Sequence, residues 1–333
     1  MMHLNMHVLE RIRAQAQAEP RVIVFPEGDD ERIREAARRT AGEGIAKPLL
    51  LVEKTGAAGG DLSWIQPSAS PKLTEYAERY AARQTLALSA ARRLLRRPLY
   101  FGAAMVEAGD ADGMVAGVSH TTAALLTAAG LVIGQAARCA CPSSFFIMVW
   151  PPPAQREALV FADCAVNIEP DSQRLAYIAV STAASARALL GIEPRVAFLS
   201  FSTRGSAQHA RADKVRRAVE LARGMDAATA YDGEMQADAA LVARVGAAKA
   251  PDSAVAGRAN VLIFPDLDSG NIGYKLTEHL AGAQAIGPIL QGYALPVNDL
   301  SRAATIDDIV AVTTITVVQA QAARRAQGRN KRD

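Results

Sequence analysis

Along the chain, short apolar runs alternate with stretches whose polar and apolar positions recur at helical spacing. Apolar runs bounded by Gly, Pro or polar residues predict buried strands at 21–25, 48–52, 112–117, 145–149, 158–161, 195–201 and 260–264. Helical spacing is found at 30–41, over most of 73–97, from about 121, and at 171–190, 210–223, 237–242 and 272–281. Residues 53–70, rich in Gly, Ala, Ser and Pro, predict an irregular connection, and Pro296 to Asp299 a turn. The helix expected over 306–326 carries Ile309, Val310, Val312, Ile315, Val317 and Val318, so it must be buried. The run Pro151, Pro152, Pro153 marks a turn at a border. Repeated strand–helix alternation implies α/β architecture, with mostly parallel sheets covered by helices in two domains that meet near residue 141.

Composition narrows the function classes. At 333 residues the chain exceeds a typical single core, and with 50% hydrophobic and 21% charged residues it has an ordinary globular balance. A net charge of +3 without a dense basic block in the body argues against nucleic acid as a partner. The basic end (Arg324, Arg325, Arg329, Lys331, Arg332) reads as a solvated tail. Three cysteines, Cys139, Cys141 and Cys164, form no disulfide framework and no zinc pattern. No apolar run reaches the ~20 residues that span a bilayer, and the first residues lack a signal core. A cytoplasmic protein with reduced thiols and no membrane contact is expected.

Chemistry concentrates in Ser301, Arg302 and Asp308. A guanidinium offers a planar fork of donors for phosphate, although Arg302 can equally be a surface arginine near a helix start. Ser301 suits donation to an acyl carbonyl, or simply a turn. Asp308 stands third in a helix after Thr305, as in a capping box, and Asp307 is an equal candidate for that electrostatic work. Ser202, Thr203, Arg204, Gly205 and Ser206 follow the strand at 195–201 with hydroxyls, a glycine and a cation, a phosphate-loop composition that also suits a plain turn. The loop 265–270 suggests an anion seat where a helix begins at Asn271, and its Asp266 and Asp268 are too few ligands for a metal. His120 follows the strand at 112–117 and suits a hydrogen-bonded scaffold, with Thr121 as helix cap.

The blocks PEGDDERI, DADGMVAGVSHTT, LVFADCAVN, GIEPRVAFLSFSTRGS, YDGEMQADAAL and VAGRANVLIFPDLDSGNIGYK, followed by AIGPILQG and PVNDLSRAATIDDIV, cover nearly the whole chain. In content and order they closely resemble the phosphate acetyltransferases (phosphotransacetylases) of the phosphate acetyl/butyryl transferase family. The resemblance implies two three-layer α-β-α domains like those of isocitrate and isopropylmalate dehydrogenases, 1–140 plus 298–333 and 141–297, with the active site in the cleft between them. It implies reversible acetyl transfer between coenzyme A and phosphate in a ternary complex, with acetyl-CoA, phosphate and acetyl phosphate as substrates, no permanently bound cofactor, no metal, and a homodimer. Asp308 becomes the base toward the coenzyme A thiol, Ser301 polarises the carbonyl, and Arg302 with Ser202, Thr203, Gly205 and Ser206 holds the phosphoryl group. His120, Thr121, Asn271, Lys275 and Arg83 become substrate-binding positions, and Asp232 and Glu234 line or brace the cleft.

A thiol at pKa ~8.5 and an aspartate at ~3.9 differ by roughly 6 kcal/mol. The transfer therefore requires burial of Asp308, concert with carbon–sulfur bond formation, or both. The sequence departs from the family wording at Ala303, where a glycine is usual, and at Thr127, where an arginine is usual. The Lys-Gly that follows the family's Tyr-x-x-Arg is also missing after Tyr80 to Arg83. Arg83 and Arg138 are candidates to compensate. Competing readings are a phosphate butyryl- or propionyltransferase, a non-catalytic acetyl-CoA-sensing module, and a metal-dependent decarboxylating dehydrogenase.

Overall fold

The computed structural model describes residues 8–53, 61–137, 139, 141–151 and 157–330, with side chains as far as 326. Arg138, Pro152, Pro153, Lys331, Arg332 and the side chain of Arg329 lie outside the described residues. In chain order the elements are α1 (Val8–Ala18), β1 (Arg21–Phe25), α2 (Glu31–Gly42), β2 (Ala46–Leu51), β3 (Ser63–Ile65), α3 (Lys72–Gln84), α4 (Leu88–Leu95), α5 (Pro98–Ala108), β4 (Gly113–Ala116) and α6 (Thr122–Val132). Then follow β5 (Ser143–Val149), β6 (Ala158–Ala162), α7 (Ser172–Leu190), β7 (Arg195–Leu199), α8 (Ala210–Met225), β8 (Ala230–Met235), α9 (Ala237–Leu241), α10 (Ala243–Lys249), β9 (Val261–Ile263), α11 (Leu267–Ala281), β10 (Gln284–Gln291), β11 (Val297–Asp299) and α12 (Ile306–Asn330). They fall into two compact units, Met1–Ala137 with Tyr293–Asp333, and Arg138–Gly292.

In the first unit five parallel strands lie in the order β11-β4-β1-β2-β3. Helices cover both faces, as neighbouring residues of β4 demonstrate. A side chain at Gly113 would strike Thr316 of α12, whereas Met114 packs on Gly102 of α5. Burial of Ile33, Ala36, Ala37 and Thr40 turns one stripe of α2 inward, and Asp30 caps its start by accepting from the Arg32 amide. The β-branched face of α12 is buried as expected, and its hydroxyls are satisfied inside the helix. Thr313, Thr314 and Thr316 each donate to the carbonyl four residues back at 2.7 Å. Asn298 of β11 donates to Thr316 at 2.8 Å and to Gln319 at 2.7 Å, pinning the strand to the helix.

The second unit carries six strands in the order β10-β5-β6-β9-β7-β8. The pairs β6–β9, β9–β7 and β7–β8 are parallel, and β10–β5 and β5–β6 are antiparallel. One face is a core of Phe146, Phe161, Leu199, Leu262 and Phe264 with the half-buried Tyr274 of α11. Phe146 stacks on Tyr274 with ring centroids 4.1 Å apart.

Several sequence expectations are corrected. Residues 297–299 are a buried strand rather than a turn, because β4 offers them a parallel ladder. The irregular stretch contains β3, paired with β2. Residues 230–235, where no strand is expected from the sequence, form β8. The helix expected from 272 begins at Leu267, since Asp266 caps it by accepting from the Ser269 amide at 2.9 Å.

Candidate active site

All strands of the first sheet point the same way, so the segments leaving β1, β4 and β11 share its carboxyl edge. The chain builds outward from β1 through β2 and β3, then returns to the other side of β1 with β4. That reversal leaves a crevice at the β1/β4 boundary, where open α/β sheets receive ligands. Three segments meet there: Glu27 after β1, Gly117 to His120 after β4, and Leu300 to Arg302 after β11.

Glu27 organises this crevice. Its Oε2 accepts from the amides of Gly117 (2.8 Å) and Val118 (3.0 Å), and its Oε1 from those of Ser119 (2.7 Å) and His120 (2.9 Å). The His120 ring adds Nδ1 at 2.8 Å. Burial alone would raise this carboxyl, but the ring and the amides overturn that and hold it below its usual range. When Nδ1 donates to this carboxylate, Nε2 of the neutral tautomer is an acceptor. The His120 ring is thus held by Glu27, and Thr121 is the cap of α6, accepting from Ala124 at 3.3 Å.

Asp299 ends β11 beside this nest. Its Oδ2 accepts from Thr122 at 2.5 Å, while its buried Oδ1 has no hydrogen-bond partner among the described residues. Burial, reinforced by the nearby Glu27 charge, pushes the carboxyl up to about 6 against the pull of Thr122. Gly117 is required here, because a side chain would come within 2.5 Å of Asp299 Oδ1 and 2.4 Å of the Leu300 carbonyl.

The segment from Ser301 to Thr305 is a short turn, with the Ala304 amide donating to the Ser301 carbonyl at 2.9 Å. Ser301 Oγ accepts from the Ala303 amide at 3.2 Å, which leaves its proton free to donate outward. Arg32 braces the turn from α2, donating to the carbonyls of Arg302 (2.8 Å) and Ala304 (3.2 Å) while Asp30 grips its other nitrogens. The exposed Arg302 guanidinium has no partner among the described residues. Asp308 is held by the capping box anticipated from sequence, through Oδ2 alone, so Oδ1 is left for other work. It is half-buried at the helix start, not enclosed. Asp307 turns away and pairs with Arg39 of α2.

Other sequence candidates have different surroundings. Arg83 sits at the opposite edge of this unit, bonded to the Val132 carbonyl and to Glu107 (3.0 Å) at the end of α5, so it braces three helices there. In the second unit the 202–206 loop already encloses a carboxylate. Glu234 Oε1 accepts from Ser202 Oγ (2.7 Å), the Gly205 amide (2.8 Å) and Arg216 (3.0 Å). The Thr203 amide donates to Ser206 Oγ at 3.0 Å, and Arg204 pairs with Asp232. The seat expected at Asn271 is corrected: Asn271 lies a turn inside α11 and donates to the Cys164 carbonyl at 3.1 Å. Lys275 lies 5.9 Å from the Tyr274 ring centroid. Among the described residues no three of His, Cys, Asp and Glu gather as metal ligands. Sequence reasoning missed Glu27, Asp299 and Arg32; the acidic run after β1 was the available signal.

A family model described as phosphate acetyl/butaryl transferase matches residues 7–317. The chain belongs to the phosphate acetyl/butaryl transferase family. Among its relatives, a phosphate acetyltransferase of Thermoanaerobacterium thermosaccharolyticum is 48% identical, over 95% of this chain and 100% of that one. One of Paracoccus denitrificans is 46% identical, over 94% and 99%. A phosphotransacetylase structure from Streptococcus pyogenes superposes with a TM-score of 0.88 at 42% identity, covering 95% of this chain and 98% of that one. The acyltransferase family thus shares this α/β architecture along nearly the full chain.

Proposed function

We infer that this enzyme is a phosphate acetyltransferase, moving an acetyl group reversibly between coenzyme A and phosphate. What carries the inference is Arg302, an uncommitted guanidinium on a braced turn beside Ser301 and Asp308, in a chain whose near full-length relatives bear that name. Arg302 receives the phosphoryl group of acetyl phosphate as a charged fork. Ser301 donates its free proton to the acetyl carbonyl, where negative charge develops. Asp308 Oδ1 takes the thiol proton as sulfur bonds to the carbonyl carbon. The carbon–oxygen bond to phosphate then breaks, inorganic phosphate leaves on Arg302, and acetyl-CoA remains. Concert with bond formation carries the proton uphill to a carboxylate, so no acyl-enzyme is required. His120 contributes a polar contact to substrate.

The thioester absorbance formed from acetyl phosphate and coenzyme A tests the reading, and kcat/KM compared among acetyl, propionyl and butyryl phosphates tests the acyl group. If turnover of butyryl phosphate is the faster, the acetyl assignment falls.

No described helix is long and apolar enough to cross a membrane. The three free cysteines suit a reducing compartment, and we place the enzyme in the cytoplasm. A second copy of the chain covers the apolar stripe of α11, where Ile272, Leu276 and Leu280 are 56, 52 and 80% exposed at four-residue spacing. Sedimentation of wild type and Leu276→Glu tests this: a wild-type monomer, or an undisturbed dimer in the variant, rejects it.

A further inference from the structure

Where α5 ends, the first unit leaves a hollow. Gly109 stops the helix with a φ of 84°, and its amide donates to the Met105 and Val106 carbonyls. The next two amides, of Asp110 and Ala111, both return to Met105, so the Glu107 and Ala108 carbonyls have no partner among the described residues. These are the last carbonyls of α5, where the helix dipole is negative. Helix α12 contributes Ala320, Ala323 and Arg324, which share one of its faces at three- and four-residue spacing. Leu295 and the two alanines leave space unfilled. A cavity of about 230 Å³ remains between the end of α5, α12 and the segments entering β4 and β11.

Arg324 supplies the charge. Its Nε donates to Asp112 Oδ1 at 2.8 Å, and the largely buried Asp112 is anchored in turn by the Val22 amide, which donates to Oδ2 at 3.0 Å. The guanidinium is thereby oriented, while its two terminal nitrogens have no partner among the described residues. Glu107 does not neutralise them, because its carboxylate is held by Arg79 at 3.2 Å and Arg83 at 3.0 Å. The cavity thus combines a donor fork, two unclaimed acceptors and an apolar wall. It lies at the amino edge of the first sheet, where the chain enters β4 and β11, whereas Glu27 and Ser301 lie at the carboxyl edge. At roughly 1.5 Å per residue, about 24 Å of α12 separates Arg324 from Asp308. Acetyl transfer makes no use of this cavity.

We propose that this cavity binds a free α-amino acid with an aliphatic side chain. The ligand carboxylate lies on the terminal nitrogens of Arg324, a planar acceptor meeting a planar fork. The ammonium brings three donors to the Glu107 and Ala108 carbonyls at the negative end of α5. The side chain covers Leu295, Ala320 and Ala323 and removes apolar surface from water. A plain anion leaves the carbonyls unmet and a plain amine leaves the guanidinium unmet. Only a zwitterion answers both.

Calorimetric titration of the full-length protein with L-leucine tests this, beside 4-methylpentanoate, which lacks the ammonium, and 3-methylbutylamine, which lacks the carboxylate. Leucine is expected to bind saturably, and each truncated probe about tenfold or more weaker, the loss of one hydrogen-bonded charge. Arg324→Gln should weaken leucine by a similar factor yet leave 3-methylbutylamine unchanged. Ala323→Leu, at a half-buried position, fills the cavity and should abolish binding of all three probes. A cooperative thermal transition in each variant establishes that it is folded, and the comparison of probes on wild type stands without either. Arg302→Gln should leave leucine binding untouched; loss there places the amino acid at the transfer site and rejects the proposal. No saturable heat up to about 10 mM leucine overturns it, as does binding undiminished in both cavity variants. If 4-methylpentanoate binds as tightly as leucine, the ligand is a simple carboxylate and the amino acid is rejected. The acetyltransferase reading stands or falls separately, by the thioester assay.

Discussion

Thr305 and Asp308 hold each other across the first turn of α12. Asp308 Oδ2 accepts from the Thr305 amide at 2.9 Å and hydroxyl at 2.7 Å, and the Asp308 amide returns to Thr305 Oγ1 at 3.2 Å. The capping reading of Asp308 and the proposed base role are therefore compatible, because they use different oxygens. An Asp308→Asn enzyme keeps an acceptor for the cap but cannot take the thiol proton. It is expected to melt within a few degrees of wild type while kcat falls ~10²–10⁴-fold. A loss below tenfold in a folded sample would remove Asp308 as the base. Thr305→Val, by contrast, should cost about 1 kcal/mol of stability in urea unfolding.

Arg302 binds substrate and Arg32 only holds its turn, so the two variants should separate. Arg302→Gln is expected to lower kcat/KM for acetyl phosphate by ~10²–10³. Arg32→Met displaces the turn without removing the cation and should cost roughly tenfold to 10²-fold. In the double variant the losses should not add, since a misplaced turn matters little once its guanidinium is gone. Full additivity would show that Arg32 acts elsewhere.

Glu27 fills an amide nest with its own carboxylate. In Glu27→Gln an NH₂ group faces donors it cannot satisfy, and the expected penalty is roughly 3 kcal/mol at pH 7. The folded carboxyl is depressed, so its contribution is present above the ordinary value of 4.5 and is lost as pH falls through the lower folded value. The stability gap between variant and wild type should therefore narrow in acid. A gap constant from pH 7 to pH 3 contradicts this.

Asp299 has the opposite sign. Its carboxyl rises from 3.8 to about 6 in the folded protein, so its favourable contribution is complete below 3.8 and disappears as pH rises through 6. Two units correspond to about 3 kcal/mol. Measured in urea from pH 3 to 8, wild type should lose stability relative to Asp299→Asn by an amount of that order. A difference independent of pH would mean that Asp299 is charged throughout.

The strand–helix alternation, the buried face of α12, the Thr121 cap and the Thr305–Asp308 box were legible in the sequence because each depends on neighbours within a turn or two of the chain. Ser301, Arg302 and Asp308 were legible as residue types suited to phosphate, carbonyl and proton. Whether a donor is free is not a local property. The amides of Gly117 to His120 and of Gly205 have the composition of phosphate nests, yet Glu27, 90 residues from Gly117, and Glu234, 29 from Gly205, already occupy them. Asp307 and Asp308 are equivalent on paper, and only the approach of Arg39 on α2 separates them. Likewise only packing gives Arg83 its Glu107 partner and leaves the α4 arginines without carboxylates. Local spacing fixes which groups a segment offers; long-range contacts decide which remain unspent, because a hydrogen bond or charge satisfied inside the fold is no longer available to a ligand.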